Sequence, residues 1–187
     1  LSYFAKQADK RHLLVDGRAF VGYRVEGRVA IAAGDPVGPR DAIPAAPKAF
    51  LALCTANDWV PVFYETSPHH LETYRELGLR WFKVGEEAVV PLAGFSLQGA
   101  KVAKVRQAIN KFEREQPDIR ITEYRRESPD PEIDDQLSEI SAEWLGTKRG
   151  RELGFNLGIF SVDELADKRT FLAMTSSEYA WAFITWL

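Results

Sequence analysis

Apolar and polar positions set out a succession of short strands and helices. Residues 12–33 read as three strands. Leu13-Leu14-Val15 runs to the hairpin dipeptide Asp16-Gly17, and Ala19–Val25 and Arg28–Ala33 flank a second tight turn at Glu26-Gly27. A rigid loop, Gly34 to Pro39, leads to helical spacing over Pro44–Asn57, carried by Phe50, Leu51, Leu53 and Cys54. Val60–Tyr64 is an apolar strand, with Pro61 marking its start or a sheet edge. Ser67-Pro68 opens a further helix through Leu71, Tyr74 and Leu77, which stops at Gly78. Residues 79–92 alternate toward Val84, Ala88, Val89 and Val90 and predict a long strand interrupted near Gly85. The order is that of a mixed α/β sheet with helical crossovers.

The second half begins with a long amphipathic helix expected from a cap at Ser96, with Val102, Val105, Ile109 and Phe112 on its apolar stripe. Ile119–Tyr124 reads as a strand and Pro131–Leu145 as an acidic helix bearing Ile133, Leu137, Ile140 and Trp144. A glycine-rich loop over 146–158, a short helix from Ser161 and two closing strands near 170–175 and 179–187 complete the pattern. The chain starts at Leu1 and ends on the apolar run Ala182–Leu187, an edge with nothing after it to pair. It therefore reads as part of a longer protein.

Composition narrows the function classes. With 187 residues, 45% hydrophobic and 27% charged, the chain is globular and long enough for one full core or two small ones. No apolar run has the length of a membrane span. The single cysteine, Cys54, cannot form an internal disulfide or a thiolate zinc site, which points to a reducing, cytoplasmic setting. Cys54 sits on an apolar helix face and reads as a core residue. His69 and His70 are adjacent rather than i, i+4, so they read as a solvated first turn and no metal site is expected. A net charge of −3 means that any contact with nucleic acid or an anionic membrane must come from a local patch.

Such a patch exists. Residues 96–126 carry eight basic side chains (Lys101, Lys104, Arg106, Lys111, Arg114, Arg120, Arg125 and Arg126) against four acids, whereas 127–143 carry seven acids and no base. Lys101, Lys104, Lys111 and Arg114 can share one helix face, which suits a phosphate backbone or, equally, a solvated surface. The loop Lys148-Arg149-Gly150-Arg151-Glu152-Leu153-Gly154-Phe155-Asn156-Leu157-Gly158 is the densest candidate site. It holds three cations, a carboxylate, an amide and glycines that permit close backbone approach to a ligand. Glu65, Glu86 and Glu87 stand at strand ends, where a carboxylate can serve as a general base, hold an ammonium group or be a paired structural acid. Gly34–Pro39 follows a strand and precedes a helix, but it matches neither phosphate-loop pattern and reads as a structural turn.

Several of these segments together resemble a known family. They are Asp9-Lys10-Arg11, Ala19-Phe20-Val21-Gly22-Tyr23-Arg24-Val25, Gly34-Asp35-Pro36-Val37-Gly38, Phe63-Tyr64-Glu65 and Gly85-Glu86-Glu87-Ala88. To these add Gly94-Phe95-Ser96-Leu97, Lys104-Val105-Arg106-Gln107-Ala108-Ile109-Asn110-Lys111, Glu143-Trp144-Leu145, Lys148 and Arg151 to Gly158. In this order they resemble the cytosolic domain of bacterial phosphatidylglycerol lysyltransferases, also called lysylphosphatidylglycerol synthases or multiple peptide resistance factors. The resemblance implies two acetyltransferase-like (GNAT-like) α/β folds in tandem. They would occupy 1–95 and 118–187, the second incomplete, with a connecting basic helix over 96–117.

It further implies transfer of a lysyl or alanyl group from charged tRNA to the glycerol hydroxyl of phosphatidylglycerol, giving resistance to cationic antimicrobial peptides. No cofactor is implied, and aminoacyl-tRNA is the co-substrate. The implied partners are tRNA and phosphatidylglycerol at the cytoplasmic face of the inner membrane, with a membrane domain of the same protein. By this resemblance Glu152 and Lys148 are the catalytic candidates, and Arg149, Arg151, Phe155, Asn156, Glu65 and Glu86 bind substrate. Lys101, Lys104, Arg106 and Lys111 hold tRNA. Alternatives left open are a peptide acceptor, an acetyl-CoA-dependent N-acetyltransferase and a non-catalytic tRNA- or membrane-binding module.

Overall fold

The structure is a computed structural model and describes residues 2–125, 127–147, 155, 158 and 160–187. The described residues fall into two compact units, one of 2–86 with Phe155 and Gly158, the other of 87–147 with 160–187.

The first unit is built on four strands, β1 (Arg11–Val15), β2 (Ala19–Glu26), β3 (Val29–Ala33) and β4 (Val60–Tyr64), in that spatial order. β1, β2 and β3 are antiparallel neighbours, and β4 lies parallel to β3. The two hairpin turns stand where the dipeptides put them, with Asp16 and Gly17 both at positive φ (52° and 64°). A parallel β3–β4 pair needs a crossover, and α2 (Ala45–Ala56) supplies it. Its inward face brings Ala46, Phe50 and Cys54 onto Val15, Ala19, Val21, Tyr23, Ala30 and Ala32 of the sheet. Cys54 is fully buried and burial pushes its thiol pKa up, as befits a packing residue.

The other face of β2 receives α1 (Ser2–Ala5). Contact is so close that a Cβ on Gly22 would lie 2.1 Å from the Ala5 carbonyl oxygen. The loop after β3 is structural, as expected, because Val37 exchanges two 2.9 Å backbone hydrogen bonds with Phe20.

Ser67 caps the turn Pro68–His70, which runs into α3 (Leu71–Glu76). Asp35 joins the ends of β3 and β4: its carboxylate accepts from the Ser67 N–H at 2.8 Å and from the Tyr74 hydroxyl at 2.9 Å. Burial, then the Asp35 charge and hydrogen bond, raise the Tyr74 pKa well above the ordinary tyrosine value of 10.0. The unfolded chain therefore ionises this phenol first. The resulting stabilisation is full below about pH 10 and drains away as pH rises beyond it. Tyr74→Phe is expected to cost about 1–2 kcal/mol at neutral pH and to flatten the alkaline limb of a stability–pH curve. Equal alkaline slopes in the two proteins, measured by urea unfolding, would contradict this.

The second unit pairs β5 (Arg120–Tyr124), β6 (Arg169–Met174) and β7 (Ala180–Trp186) in antiparallel order beneath α5 (Pro131–Gly146). Asp130 caps α5, with Pro131 at the first helical position. Leu137 packs on Leu165, Leu172, Met174 and Ala180, and buried Gln136 accepts the Ala180 N–H at 2.7 Å. Arg169 donates to Glu123 across β5 and β6 at 2.8 Å. This bond, with the Arg169 and Arg125 charges, holds the Glu123 carboxyl below its ordinary value of 4.5. The stability it adds is present above that value and is lost as pH falls through the depressed one. Glu123→Gln is thus expected to make unfolding less sensitive to acid between about pH 5 and pH 3. An unchanged acid limb in a pH series of urea melts would refute the pairing.

Two expectations are corrected. Residues 79–92 form no strand: the alternation is present, but no described strand offers it a hydrogen-bond ladder, and Trp81, Phe82, Val89 and Leu92 lie exposed. The helix expected from Ser96 starts at Ala103, as α4 (Ala103–Glu115), with no side-chain cap. Ser96 caps only a local turn by accepting the Gln98 N–H, and Gly99, at φ +90°, ends any helix before Ala103. The apolar stripe of α4 is partly exposed, at Val105 and Ile109.

Candidate functional site

The site in the first unit is a seat for the end of the glycine-rich loop. Four points of the unit converge there: Phe4 of α1, Gln7, Lys10 just before β1 and Tyr64 at the end of β4. The Phe155 ring stands edge-on to Tyr64 with centroids 6.0 Å apart, and Lys10 Nζ lies 4.9 Å from its centre. Lys10 is an unusual place for a cation, because its side chain is fully buried. It survives there because the Asp9 carboxylate takes it on both oxygens, at 2.7 and 2.9 Å, while the Phe155 π face covers another side. Gln7 is also buried, and its Oε1 has no hydrogen-bond partner among the described residues. Gly158, at φ +77°, closes the seat: a Cβ there would come within 2.8 Å of the Gln7 amide nitrogen.

Of the loop residues nominated from sequence, Phe155 alone is described, and it occupies this seat. Lys148, Arg149, Arg151, Glu152 and Asn156 lie outside the described residues. Glu65 follows Tyr64 directly and holds a left-handed backbone (φ 59°) where β4 ends, which turns the chain away from the sheet beside the seat. Glu86 is not at a strand end, since no strand forms there; it is exposed and ion-paired with Lys83. Gln7, Lys10 and Tyr64 were not nominated as site residues. A buried lysine carries no local signature, and only the folded contact with Phe155 reveals it.

The basic residues nominated for tRNA divide. Lys104 and Lys111 are exposed, two turns apart on one face of α4, with Lys111 3.8 Å from the Glu115 carboxylate. Lys101 is exposed in the turn before the helix. Arg106 points elsewhere: its guanidinium donates to the Leu97 and Gly99 carbonyls, at 2.5 and 2.9 Å, and so ties the preceding loop to the helix. What α4 offers to a phosphate backbone is therefore the Lys104–Lys111 face.

Comparison with known proteins adds a family. The family model described as phosphatidylglycerol lysyltransferase, C-terminal, matches residues 1–187. The chain is 36% identical, over 89% of its length, to the lysylphosphatidylglycerol biosynthesis bifunctional protein LysX of Mycobacterium avium. It is 37% identical, over 84%, to the protein of the same name in Nocardia farcinica. It spans about 14% of the length of these relatives. Among solved structures it is similar to L-PGS from Bacillus licheniformis, with TM-score 0.84 and 32% identity, covering 97% of this chain and 56% of that one. The C-terminal domain of a putative lysylphosphatidylglycerol synthetase from Agrobacterium fabrum matches with TM-score 0.83 and 31% identity, over 95% and 55% of the two chains.

Proposed function

Because the chain belongs to the phosphatidylglycerol lysyltransferase C-terminal family, we propose that it is part of an enzyme moving an aminoacyl group, lysyl or alanyl, from charged tRNA to phosphatidylglycerol. The observation that carries this reading is the family match over the whole chain. The product lipid has gained a positive charge, and a membrane rich in it attracts cationic antimicrobial peptides less. The reaction belongs at the cytoplasmic face of the inner membrane, beside a membrane domain of the same protein.

The chemistry is ester exchange. A glycerol hydroxyl oxygen attacks the aminoacyl carbonyl carbon, the ester bond to the tRNA ribose breaks, and the hydroxyl proton ends on the departing ribose oxygen. The ester is already activated, so no cofactor is needed. The protein has to align two substrates and stabilise the oxyanion. Lys148, Arg149 and Arg151 are assigned to phosphate and oxyanion, Glu152 to the hydroxyl or the aminoacyl ammonium, and Asn156 and Glu65 to substrate contacts. Phe155, seated on Lys10 and Tyr64, fixes where that loop ends. Lys104 and Lys111, with Lys101, hold the tRNA backbone, each adding a salt-sensitive phosphate contact. Two acetyltransferase-like folds in tandem, linked through α4, complete the reading.

Donor identity is the point to test. The protein carrying this chain is incubated with phosphatidylglycerol vesicles and either radiolabelled lysyl-tRNA, radiolabelled alanyl-tRNA or acetyl-CoA. Label is expected in the chloroform phase from an aminoacyl-tRNA and not from acetyl-CoA. Label from acetyl-CoA alone would overturn the proposal in favour of an acetyltransferase.

A further inference from the structure

A second concavity in the first unit lies apart from the Phe155 seat in sequence and in its lining. It has a volume of about 500 Å3 and is lined by Pro36, Arg40, Ile43, Pro44, Pro47, His69, His70, Thr73 and Tyr74. All of these residues stand on the segments leaving the C-terminal ends of the parallel strands β3 and β4, and on the helices those segments enter. Ligands of α/β sheets bind at such strand ends, and the volume is that of a small-molecule site.

Its chemistry is two-sided. Pro36, Ile43, Pro44, Pro47 and the Tyr74 ring make an apolar lining, while Arg40, His69 and His70 bring cationic and titratable groups to the same space. None of these three side chains has an ion-pair partner among the described residues. The neighbouring acids are engaged elsewhere: Asp35 with Ser67 and Tyr74, Asp41 with Arg18, and Glu72 with Arg75. An apolar cleft with an uncommitted guanidinium and two imidazoles fits a molecule that has a hydrocarbon chain and an anionic head. The Arg40 fork matches phosphate oxygens. Burial, and then Asp35, keep Tyr74 a neutral phenol, so the wall presents its ring and no charge.

We infer that this cavity holds an acyl chain of an anionic phospholipid, with the phosphate on Arg40 and the two histidines. It is a lipid-holding site in the first unit, distinct from the loop that carries the proposed transfer chemistry. The choice of a phospholipid over other anionic amphiphiles rests on the proposed function; the cavity itself asks for the chain and the negative head.

The test measures binding without tRNA or turnover, so it stands or falls separately from the transferase reading. Monomeric dioctanoyl phosphatidylglycerol is titrated into the chain by calorimetry, alongside dioctanoyl phosphatidylcholine and glycerol 3-phosphate. Saturable binding of the anionic lipid is expected, about tenfold or more tighter than either control. Arg40→Glu, at an exposed position that leaves the core untouched, is expected to weaken it by a similar factor. Thr73→Trp, which fills the space, is expected to abolish it. Equal binding of the choline lipid or of glycerol 3-phosphate would overturn the inference, as would no lipid binding at all. Unchanged affinity in both variants would show that the lipid binds elsewhere. Lipid binding lost in the variants, in a protein that transfers no aminoacyl group, would leave the cavity assignment standing and remove the transferase reading.

Discussion

Gly22→Ala is expected to lower the stability of the first unit by about 3 kcal/mol and its melting temperature by roughly 10–20 °C. The new Cβ would sit 2.1 Å from the Ala5 carbonyl oxygen and 2.9 Å from the Ala5 Cα. These are backbone atoms, so no side-chain rotation relieves the clash; either α1 lifts off the sheet or β2 bends. Lifting α1 also disturbs the His12 ring, which bonds the Ala5 carbonyl at 2.9 Å, and the segment that carries Gln7 and Lys10. Loss of stability and loss of the Phe155 seat should therefore come together. Gly17→Ala is the control. Unlike Gly22, Gly17 has positive φ (+64°), and a Cβ there meets nothing within 4 Å, so only the conformational penalty of about 1 kcal/mol applies. Thermal melts and limited proteolysis of both variants give the comparison. Equal, small shifts would mean that α1 does not pack on Gly22.

Lys10→Met has the largest expected effect on function. Methionine keeps most of the chain's volume and removes the charge, so the fold should be retained better than with a truncation. What is lost is the cation over the Phe155 ring and the partner of Asp9, which becomes a half-covered carboxylate without its counter-charge. Among the described residues, Tyr64, Phe4 and Gln7 would then be left to hold the loop end. Lys10 acts through Phe155, whose ring it holds, so it is a positioning residue. Transfer is expected to fall on the order of tenfold, mainly in kcat, with tRNA affinity unchanged. Lys10→Arg should restore much of the rate, because a guanidinium also stacks on an aromatic face. A purely structural lysine would give parallel losses in rate, tRNA binding and melting temperature. Phe155→Leu should reproduce the rate defect, since it removes the π face from the other side.

Much of the architecture was legible because local chemistry specified it. Asp16-Gly17 and Glu26-Gly27 fixed the hairpins, Ser67-Pro68 opened a helix, and the spacing of Phe50 and Cys54 marked the buried face of α2. Failures occurred where the outcome depended on a neighbour. Residues 79–92 have strand periodicity, but a strand exists only against another strand. The start of α4 was misplaced because a serine with an apolar run behind it looks like a cap, whereas Gly99 and the Arg106 hold on two loop carbonyls delay the helix to Ala103.

The site divides in the same way. Phe155 was nominated from its loop and has a defined seat; two of the residues that form it, Lys10 and Tyr64, lie 54 residues apart, at the two edge strands of the sheet. No periodicity brings a buried lysine to a phenylalanine near residue 155. Gln7, whose buried oxygen lacks a partner, was invisible for the same reason. Charge counting found the cations around α4, but it cannot tell an outward lysine such as Lys104 from an arginine folded back onto its own loop, nor that Lys101 stands in the turn before the helix.

Acceptor identity is the most direct test of the transferase reading. The protein carrying this chain is given equal amounts of phosphatidylglycerol vesicles and a peptide acceptor with a free amine, together with a mixture of charged tRNAs, and all products are read by mass spectrometry. The expected result is lysyl- or alanyl-phosphatidylglycerol that disappears with uncharged tRNA and drops about tenfold in Lys10→Met. Aminoacylated peptide with no modified lipid would contradict it.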